Sequence, residues 1–197
     1  MTTDDRNFFN SIAGEWDSRE VYSTPTKINR LLDVCEITEG MKILDLGTGT
    51  GVLIPYLLER IGYTGQILAV DGAEMMLKEA LNKFGALADY DMFLLCDFEK
   101  ENITGRYDRI FLYCVYPHLT NPIHTIRKLI EQNLEDNGKI VIAFPVKEDV
   151  INNIHREKKA PGTLLPPSHV LAEKLTENGI AAKSVSIDDA YLVCISK

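Results

Sequence analysis

The sequence lacks three features that would each assign it to a particular class of protein. No apolar run approaches the roughly 20 residues that a membrane-spanning helix needs. The four cysteines form neither a C-x-x-C pair nor a Cys/His cluster with zinc-finger spacing, so no metal site is expected. Basic residues are not in excess, since 29 acidic and 21 basic residues give a formal net charge of −8. Neither nucleic acid nor an anionic membrane surface is therefore expected as the main partner.

What remains is the composition of an ordinary globular protein. A length of 197 residues suffices for one α/β domain with a sizeable core, and we expect a single domain over residues 1–197. The polar start, with Asp4 and Asp5, is not typical of a signal peptide. The simplest interpretation of the four cysteines is that they are buried and reduced, which predicts a cytoplasmic protein. The oligomeric state is left open, a homodimer included.

The most informative segment runs from Met41 to Gly51, where an apolar strand ends at Asp45 and glycines follow at positions 47, 49 and 51. Glycine lets the backbone approach a ligand closely, and the N-terminus of the following helix favours polar or anionic groups. The spacing excludes two common motifs. Val52 stands where a dinucleotide fingerprint has its third glycine, and Leu53 stands where a Walker loop has its lysine.

Strands and helices alternate along most of the chain, which predicts a parallel, doubly wound sheet. Strands are predicted at 41–46, 66–71, 91–96, 108–114 and 139–144, and helices at 5–14, 26–36, 51–61, 73–84, 121–134 and 168–178. The last two strands, 181–187 and 190–196, are separated only by Asp188 and Asp189. So short a connection permits only an antiparallel hairpin, and the last strand should therefore be antiparallel to the others.

Acidic residues end the second and third predicted strands. Asp71 lies 20 residues after Gly51, where a carboxylate can accept hydrogen bonds from both hydroxyls of a ribose. The alternative is that Asp71 caps the helix at 73–84. Asp97, followed by Phe98, can accept from the amino group of an adenine, and the alternative there is a turn aspartate.

Taken together, these motifs resemble those of class I S-adenosylmethionine (SAM) methyltransferases. The first is Asp45-Leu-Gly-Thr-Gly-Thr-Gly51, and a fourth is similar to the segment Tyr107-Asp108-Arg-Ile-Phe-Leu-Tyr113. The resemblance implies a Rossmann-like, seven-stranded α/β sheet with an antiparallel last strand. The segment from Phe8 to Asp17 looks like the one that precedes the core in ubiquinone and menaquinone methyltransferases, with Trp16 in place of a tyrosine.

The resemblance implies that SAM is the co-substrate. A small molecule is expected as the methyl acceptor, because the chain is too short for a separate RNA- or protein-recognition domain and its net charge is acidic. One of Met75 and Met76 is expected on the adenine face, although core packing is the alternative for either. The residues expected to bind SAM are Trp16, Asp45, Gly47, Thr48, Gly49, Gly51, Asp71, Gly72, Met75, Cys96, Asp97, Phe98 and Tyr113.

His118 and His155 are the candidate general bases. His118 follows the fourth strand near the expected point of methyl transfer, and a structural role is the alternative for both. Residues 145–167, which contain four prolines and a short amphipathic pattern, form a candidate lid or a surface excursion. The quinone-type enzymes do not share the pattern of this segment, so the resemblance does not identify a quinone substrate.

Two other functions are compatible with parts of this pattern. A SAM-binding regulatory protein without catalysis would keep the same nucleoside-binding residues. A nicotinamide-dependent reductase would share the alternation of strands and helices, but its G-x-G-x-x-G marker is absent. An antiparallel last strand would decide against the reductase.

Overall fold

The computed structural model describes residues 1–19, 22–86, 92–158 and 161–197 of the chain. The helices are α1 (Thr3–Ile12), α2 (Trp16–Arg19), α3 (Pro25–Asp33), α4 (Ile54–Ile61), α5 (Glu74–Phe84), α6 (Pro122–Gln132), α7 (Glu148–Lys158) and α8 (Ser168–Glu177). The strands are β1 (Lys42–Leu46), β2 (Gln66–Asp71), β3 (Phe93–Leu95), β4 (Tyr107–Tyr113), β5 (Leu134–Phe144), β6 (Ala182–Ser184) and β7 (Tyr191–Ser196). Short 3-10 turns follow α1 and β4.

The seven strands form one sheet in the order β3-β2-β1-β4-β5-β7-β6. Strands β1 to β5 pair in parallel, whereas β7 runs antiparallel to both of its neighbours, β5 and β6. The predicted fold, with its reversed last strand, is confirmed. Because the dinucleotide-binding domains of reductases are not built with this reversal, the nicotinamide alternative is disfavoured.

Helices cover both faces of the sheet because the central strands are apolar on both sides. Ile43 and Phe111 face one core, which α3 and α4 complete with Ile28 and Leu57. Leu44, Ile110 and Ile142 face the opposite core, to which α6 and α8 add Ile126 and Leu171. Strands that are buried on both faces are the expected form of a parallel sheet.

Several predicted boundaries differ from the structure by a few residues, and three of the differences change a turn or a connection. Strand β5 begins at Leu134 rather than 139, through an irregular pairing between Tyr107 and Arg109 of β4. Helix α4 begins at Ile54, after a tight turn, and not at residue 51. The final hairpin has a six-residue connection, because β6 ends at Ser184 and only one further main-chain bond, from Val185 to Leu192, extends the pairing. The first residue of the predicted strand 91–96 lies outside the described residues.

The irregular segment 145–167 folds back over the carboxyl ends of β4 and β5. Its helix α7 is tied to the return segment by the side chain of Asn152, which makes two hydrogen bonds to the main chain of Leu165, of 2.9 and 2.8 Å. The amide of Thr163 donates to the carbonyl of Pro117 over 2.8 Å. Residues 159 and 160 are outside the described part.

The described part of the chain contains no helix that is long and apolar enough to cross a membrane. All four cysteines are reduced thiols, and Cys35, Cys96 and Cys194 are buried.

Candidate active site

A large cavity lies at the carboxyl ends of β1, β2 and β4. Strands β1 and β4 are neighbours, but the chain leaves them in opposite directions, and ligands of doubly wound sheets bind in the crevice that forms at such a point. The empty space measures about 1240 Å³, open solvent at the mouth included. Apart from Gly51 and Met75, every residue that was predicted from the sequence to bind SAM, and both histidines, line it.

The glycine loop bends because three of its residues have left-handed backbone conformations. Gly47 has φ +70°, and a Cβ there would lie 2.4 Å from Cγ2 of Val115. Gly49 has φ +57° and nothing within 4 Å of the position of a Cβ, so its backbone borders open space. Gly51, with φ +84°, instead packs against Ile54 and Phe84. Gly51 therefore shapes the turn and does not line the cavity.

Asp45 is the last residue but one of β1, lines the cavity and is buried. The hydroxyl of Thr48 donates to its carboxylate over 2.7 Å. Burial raises the pKa of Asp45 to about 7, the negative charge of Asp71 adds to the rise, and the bond from Thr48 opposes it. A buried carboxylate that forms no ion pair within the described part of the chain fits a site that receives a positively charged ligand group.

Asp71 ends β2 and connects two loops. Its carboxylate accepts from the amide of Gly49 over 2.8 Å and from the amide of Ala73 over 2.7 Å. Burial raises the pKa of Asp71, although these backbone hydrogen bonds favour the ionised form. The residue before α5 is Ala73, so Asp71 caps the turn rather than the helix itself. Each oxygen keeps an acceptor site for a ribose hydroxyl.

The part of the cavity where adenine is expected to bind contains Cys96, Asp97 and Phe98, which follow β3 directly. The prediction for Met75 has to be corrected: its side chain is 39% exposed and does not line the cavity, whereas Met76 is buried and does. Helix α5 begins at Glu74, and successive helical residues point about 100° apart. Only one of the two methionines can therefore face the ligand.

The N-terminal helices cover this part of the cavity. Phe9 and Trp16 line it and pack edge to face, with ring centroids 5.7 Å apart. Arg6 forms an ion pair with Asp97 over 3.2 Å. Asp17 accepts from the hydroxyl of Thr50 over 2.6 Å, and the ammonium of Lys83 lies 2.7 Å from its other oxygen. These polar contacts of Arg6 and Asp17 were not predicted from the sequence.

Another part of the cavity wall contains the residues at which methyl transfer was expected. Tyr113 ends β4, and its hydroxyl lies 2.8 Å from Oγ of Ser23. Cys114 follows with φ +59°, a conformation that is rare outside glycine and typical of functional sites. The remaining wall is largely apolar and includes Val115, Phe144, Pro145, Ile151 and Ile154.

Both candidate histidines lie in this part of the wall, with ring centroids 5.4 Å apart. His118 Nδ1 is 2.9 Å from a carboxylate oxygen of Asp5, a buried residue of α1. Burial lowers the pKa of His155 to about 4, and the neighbouring His118 lowers it further than Asp5 raises it. His155 is therefore neutral at pH 7. The sequence contained a capping-box pattern, Thr2-x-x-Asp5, but no sign that Asp5 would meet His118.

Comparison with known proteins identifies the family. A family described as methyltransferase domain matches residues 37–186. The chain belongs to this family. It is a class I, SAM-dependent methyltransferase domain, which confirms the enzyme class and the co-substrate. The site fits SAM, because the open space at Gly49 and the two buried carboxylates can hold its methionine and ribose parts.

Solved structures share the fold of this chain. A SAM-dependent methyltransferase from Aquifex aeolicus has a TM-score of 0.72 and 21% identity, over 94% of this chain and 97% of that one. A DhpI–SAM–HEP complex has a TM-score of 0.75 and 15% identity, over 99% and 98%. A curated relative, the protein-L-isoaspartate O-methyltransferase of Methanosarcina mazei, is 26% identical over 157 residues, 75% of this chain. The chain spans only 62% of that relative's length.

Alanine at Gly47 and at Gly49 should have different effects, although both glycines have positive φ. At either position the conformation costs an alanine about 1–2 kcal/mol. At position 47 the contact with Val115 adds a further cost of about 1–3 kcal/mol for overpacking. Gly47→Ala should therefore be clearly less stable in urea denaturation.

Gly49→Ala serves as the matched control and should stay folded while it loses affinity for S-adenosylhomocysteine (SAH), because its methyl group enters the open cradle. Equal stability of the two variants would contradict the packing argument for Gly47.

Proposed function

We propose that this chain transfers the methyl group of SAM to a small, largely apolar molecule, through an acceptor atom that gives up a proton to His118. The observation that carries the proposal is the composition of the cavity next to Cys114. It combines apolar side chains with two histidines, one of them hydrogen-bonded to a carboxylate. Among the described residues that line the cavity there is no lysine or arginine, and the N-terminal ammonium of Met1 is paired with Asp97 and Glu99, so an anionic acceptor meets no unpaired cationic group among them.

SAM supplies an electrophilic methyl group, which an in-line nucleophile accepts. The chain has to align the acceptor and exclude water, and such positioning contributes several kcal/mol. Helices α1 and α7 support both tasks, because Phe9, Ile151 and Ile154 enclose the acceptor end. A hydroxyl acceptor also requires a base, since it is protonated at neutral pH. In the proposed mechanism, Nε2 of His118 takes that proton.

His155 has a different role in this proposal. Because its pKa lies near 4, it stays uncharged at neutral pH. It therefore offers the methyl-accepting molecule a hydrogen-bond donor or a hydrogen-bond acceptor, but no charge. A neutral imidazole beside apolar side chains suits an uncharged, hydroxyl-bearing ring better than a carboxylate. We propose no quinone: segment 145–167, which departs from the quinone-type pattern, supplies much of the wall at this end.

The alternative acceptor is an isoaspartyl carboxylate of a protein, the group named for the curated relative. A carboxylate is already ionised at neutral pH and needs no base, so the histidine pair would have no evident task. An acceptor within a polypeptide also requires an open cleft, whereas the N-terminal helices and α7 both border this cavity.

Radiolabelled methyl transfer separates the two acceptors. The chain is incubated with methyl-labelled SAM and either a cell extract passed through a small-molecule filter, the protein fraction of that extract, or a synthetic isoaspartyl peptide. We expect label in the small-molecule fraction, in a product that survives mild alkali. Base-labile label in the peptide would indicate a methyl ester and contradict the proposal. A parallel incubation with Asp71→Ala, which should bind SAM much more weakly, controls for non-enzymatic methylation.

Five further expectations remain proposals or predictions. We propose that residues 145–167 act as a lid, since α7 lines the cavity and few of the described residues in the return segment form hydrogen bonds. A cytoplasmic location suits four reduced cysteines. A single domain over residues 1–197, a homodimer and the absence of nucleic-acid partners stay predictions.

A further inference from the structure

Asp5 is not among the residues assigned to SAM, yet its carboxylate lies buried against the cavity. It belongs to the first turn of α1, where Thr2 and Asp5 form a capping box. The amide of Thr2 donates to Oδ2 of Asp5 over 3.1 Å, and the hydroxyl of Thr2 donates to the same oxygen. The other oxygen, Oδ1, is 2.9 Å from Nδ1 of His118, 113 positions along the chain.

We propose that Asp5 is the positioning residue of the base: it fixes His118 in the tautomer that carries its proton on Nδ1, so that Nε2 presents a free lone pair to the acceptor. This inference rests on the proposed function and adds a residue and a role to it. Because the capping box occupies Oδ2, only Oδ1 faces the imidazole. An ionised carboxylate can only accept, so Nδ1 has to be the donor.

The environment of both groups supports this arrangement. Burial alone would raise the pKa of Asp5, but hydrogen bonds from His118 and Thr2 hold it below its usual value. The carboxylate is therefore ionised at neutral pH. His118 is enclosed by three elements. Phe9 of α1 packs against it with ring centroids 5.0 Å apart, His155 of α7 lies beside it, and the backbone at Gly162 lies close to Nδ1.

The consequence is that the base is complete only when α1 is docked. Helix α1 also supplies Arg6 to Asp97 and Phe9 to the cavity wall. The same helix therefore closes the nucleoside end and orients the imidazole at the acceptor end. A histidine whose partner comes from a covering helix has the required tautomer only when the site is closed.

The variant Asp5→Asn tests the inference through the tautomer. The amide of Thr2 can only donate, so the side-chain oxygen of the introduced asparagine should stay with Thr2 and its NH₂ group should face His118. That NH₂ group donates, which forces Nδ1 to accept and moves the imidazole proton to Nε2. Long-range ¹H–¹⁵N NMR of the SAH-bound protein distinguishes the two tautomers, and the variant His118→Gln assigns the resonances.

We expect the Nδ1–H form in the wild-type chain and the Nε2–H form in Asp5→Asn. Transfer of labelled methyl groups from SAM to the small-molecule fraction should fall by about 100-fold or more, the range for a lost general base. SAH affinity and the unfolding midpoint should stay close to wild type. Asp5→Glu, which keeps the carboxylate, should restore part of the methyl transfer. Asp4→Asn, at the exposed neighbouring acid, should change neither the tautomer of His118 nor the methyl transfer.

Three results would overturn the inference. The first is a wild-type His118 that is doubly protonated or in the Nε2–H form at neutral pH while the chain transfers methyl groups. The second is a tautomer exchange in Asp5→Asn without loss of transfer, which would make the contact merely structural. The third, failure of the wild-type chain to methylate anything in the small-molecule fraction despite SAH binding, would overturn the proposed function as well.

Discussion

Replacing Asp71 by alanine should weaken the binding of SAH by roughly 10² to 10⁴-fold. Hydrogen bonds to a charged group contribute about 1.5–3 kcal/mol each, and two ribose hydroxyls would lose their acceptor. Each 1.4 kcal/mol corresponds to about tenfold in affinity. The variant should also loosen the site, because Asp71 accepts from the amides of both Gly49 and Ala73.

The substitution acts on the loop and on the ligand, so the two effects have to be separated. Asp71→Asn keeps the shape of the side chain and one hydrogen-bond acceptor. Its affinity for SAH should lie between those of the wild type and Asp71→Ala. Asp136→Asn is the matched control, because Asp136 is exposed and lies near the opposite end of β5. Calorimetric titration with SAH, alongside thermal unfolding without ligand, gives both quantities. SAH affinity within about threefold of wild type in Asp71→Ala would refute the ribose assignment, since one lost hydrogen bond to a charged group already exceeds that factor.

The positions of Asp45, Asp71 and Asp97 were predictable because each lies at or next to the carboxyl end of an apolar strand. In a parallel sheet the carboxyl ends of the strands meet at one edge, so strand ends far apart in sequence come together. The reversed last strand was predictable for a similar reason, since Asp188 and Asp189 leave too few residues for a crossover. In both cases local sequence decides the outcome and the topology follows from it.

The contacts of the N-terminal segment were not predictable in this way. Hydrophobic periodicity indicates that α1 has an apolar face but not which element that face meets. The pairing of Asp5 with His118 and of Asp17 with Thr50 depends on how α1 and α2 dock, which no local pattern specifies. The same limit applies to Met75 and Met76: the sequence places both at the start of α5 but does not specify which of them faces the cavity.

Asp45→Asn should have opposite effects on the free protein and on its complex. Burial raises the pKa of Asp45 from its usual 3.8 to about 7 in the folded state. A raised pKa means that folding favours the protonated carboxyl, so the wild-type chain loses stability progressively as the pH rises from the unfolded value to the folded one. One pKa unit corresponds to about 1.4 kcal/mol, and the loss therefore amounts to a few kcal/mol. Asparagine resembles the protonated form at every pH.

The difference between the variant and the wild type should therefore depend on pH. At pH 3 the two proteins should have similar midpoints of thermal unfolding, because Asp45 is then protonated in the folded wild type and largely retains its proton on unfolding. At pH 8 the variant should unfold at a higher temperature than the wild type. The bond from the hydroxyl of Thr48 is kept in both, since the amide oxygen of asparagine can accept it. A midpoint difference that does not change with pH would show that the pKa of Asp45 is not raised by folding.

Ligand binding should show the opposite preference, because SAM carries two positive charges and favours an ionised Asp45. Binding then releases a proton from the carboxyl below about pH 7, so the affinity of the wild type for SAM should rise from about pH 5.5 to about pH 7.5. This range lies below the titration of a typical α-amino group, at about 7.7–8.0. Asp45→Asn should bind SAM about tenfold or more weakly at the upper end of this range, the effect of one lost charged hydrogen bond, and lack the rise. The variant would then separate the two demands on this residue, because the charge that attracts the co-substrate is the one that destabilises the empty fold.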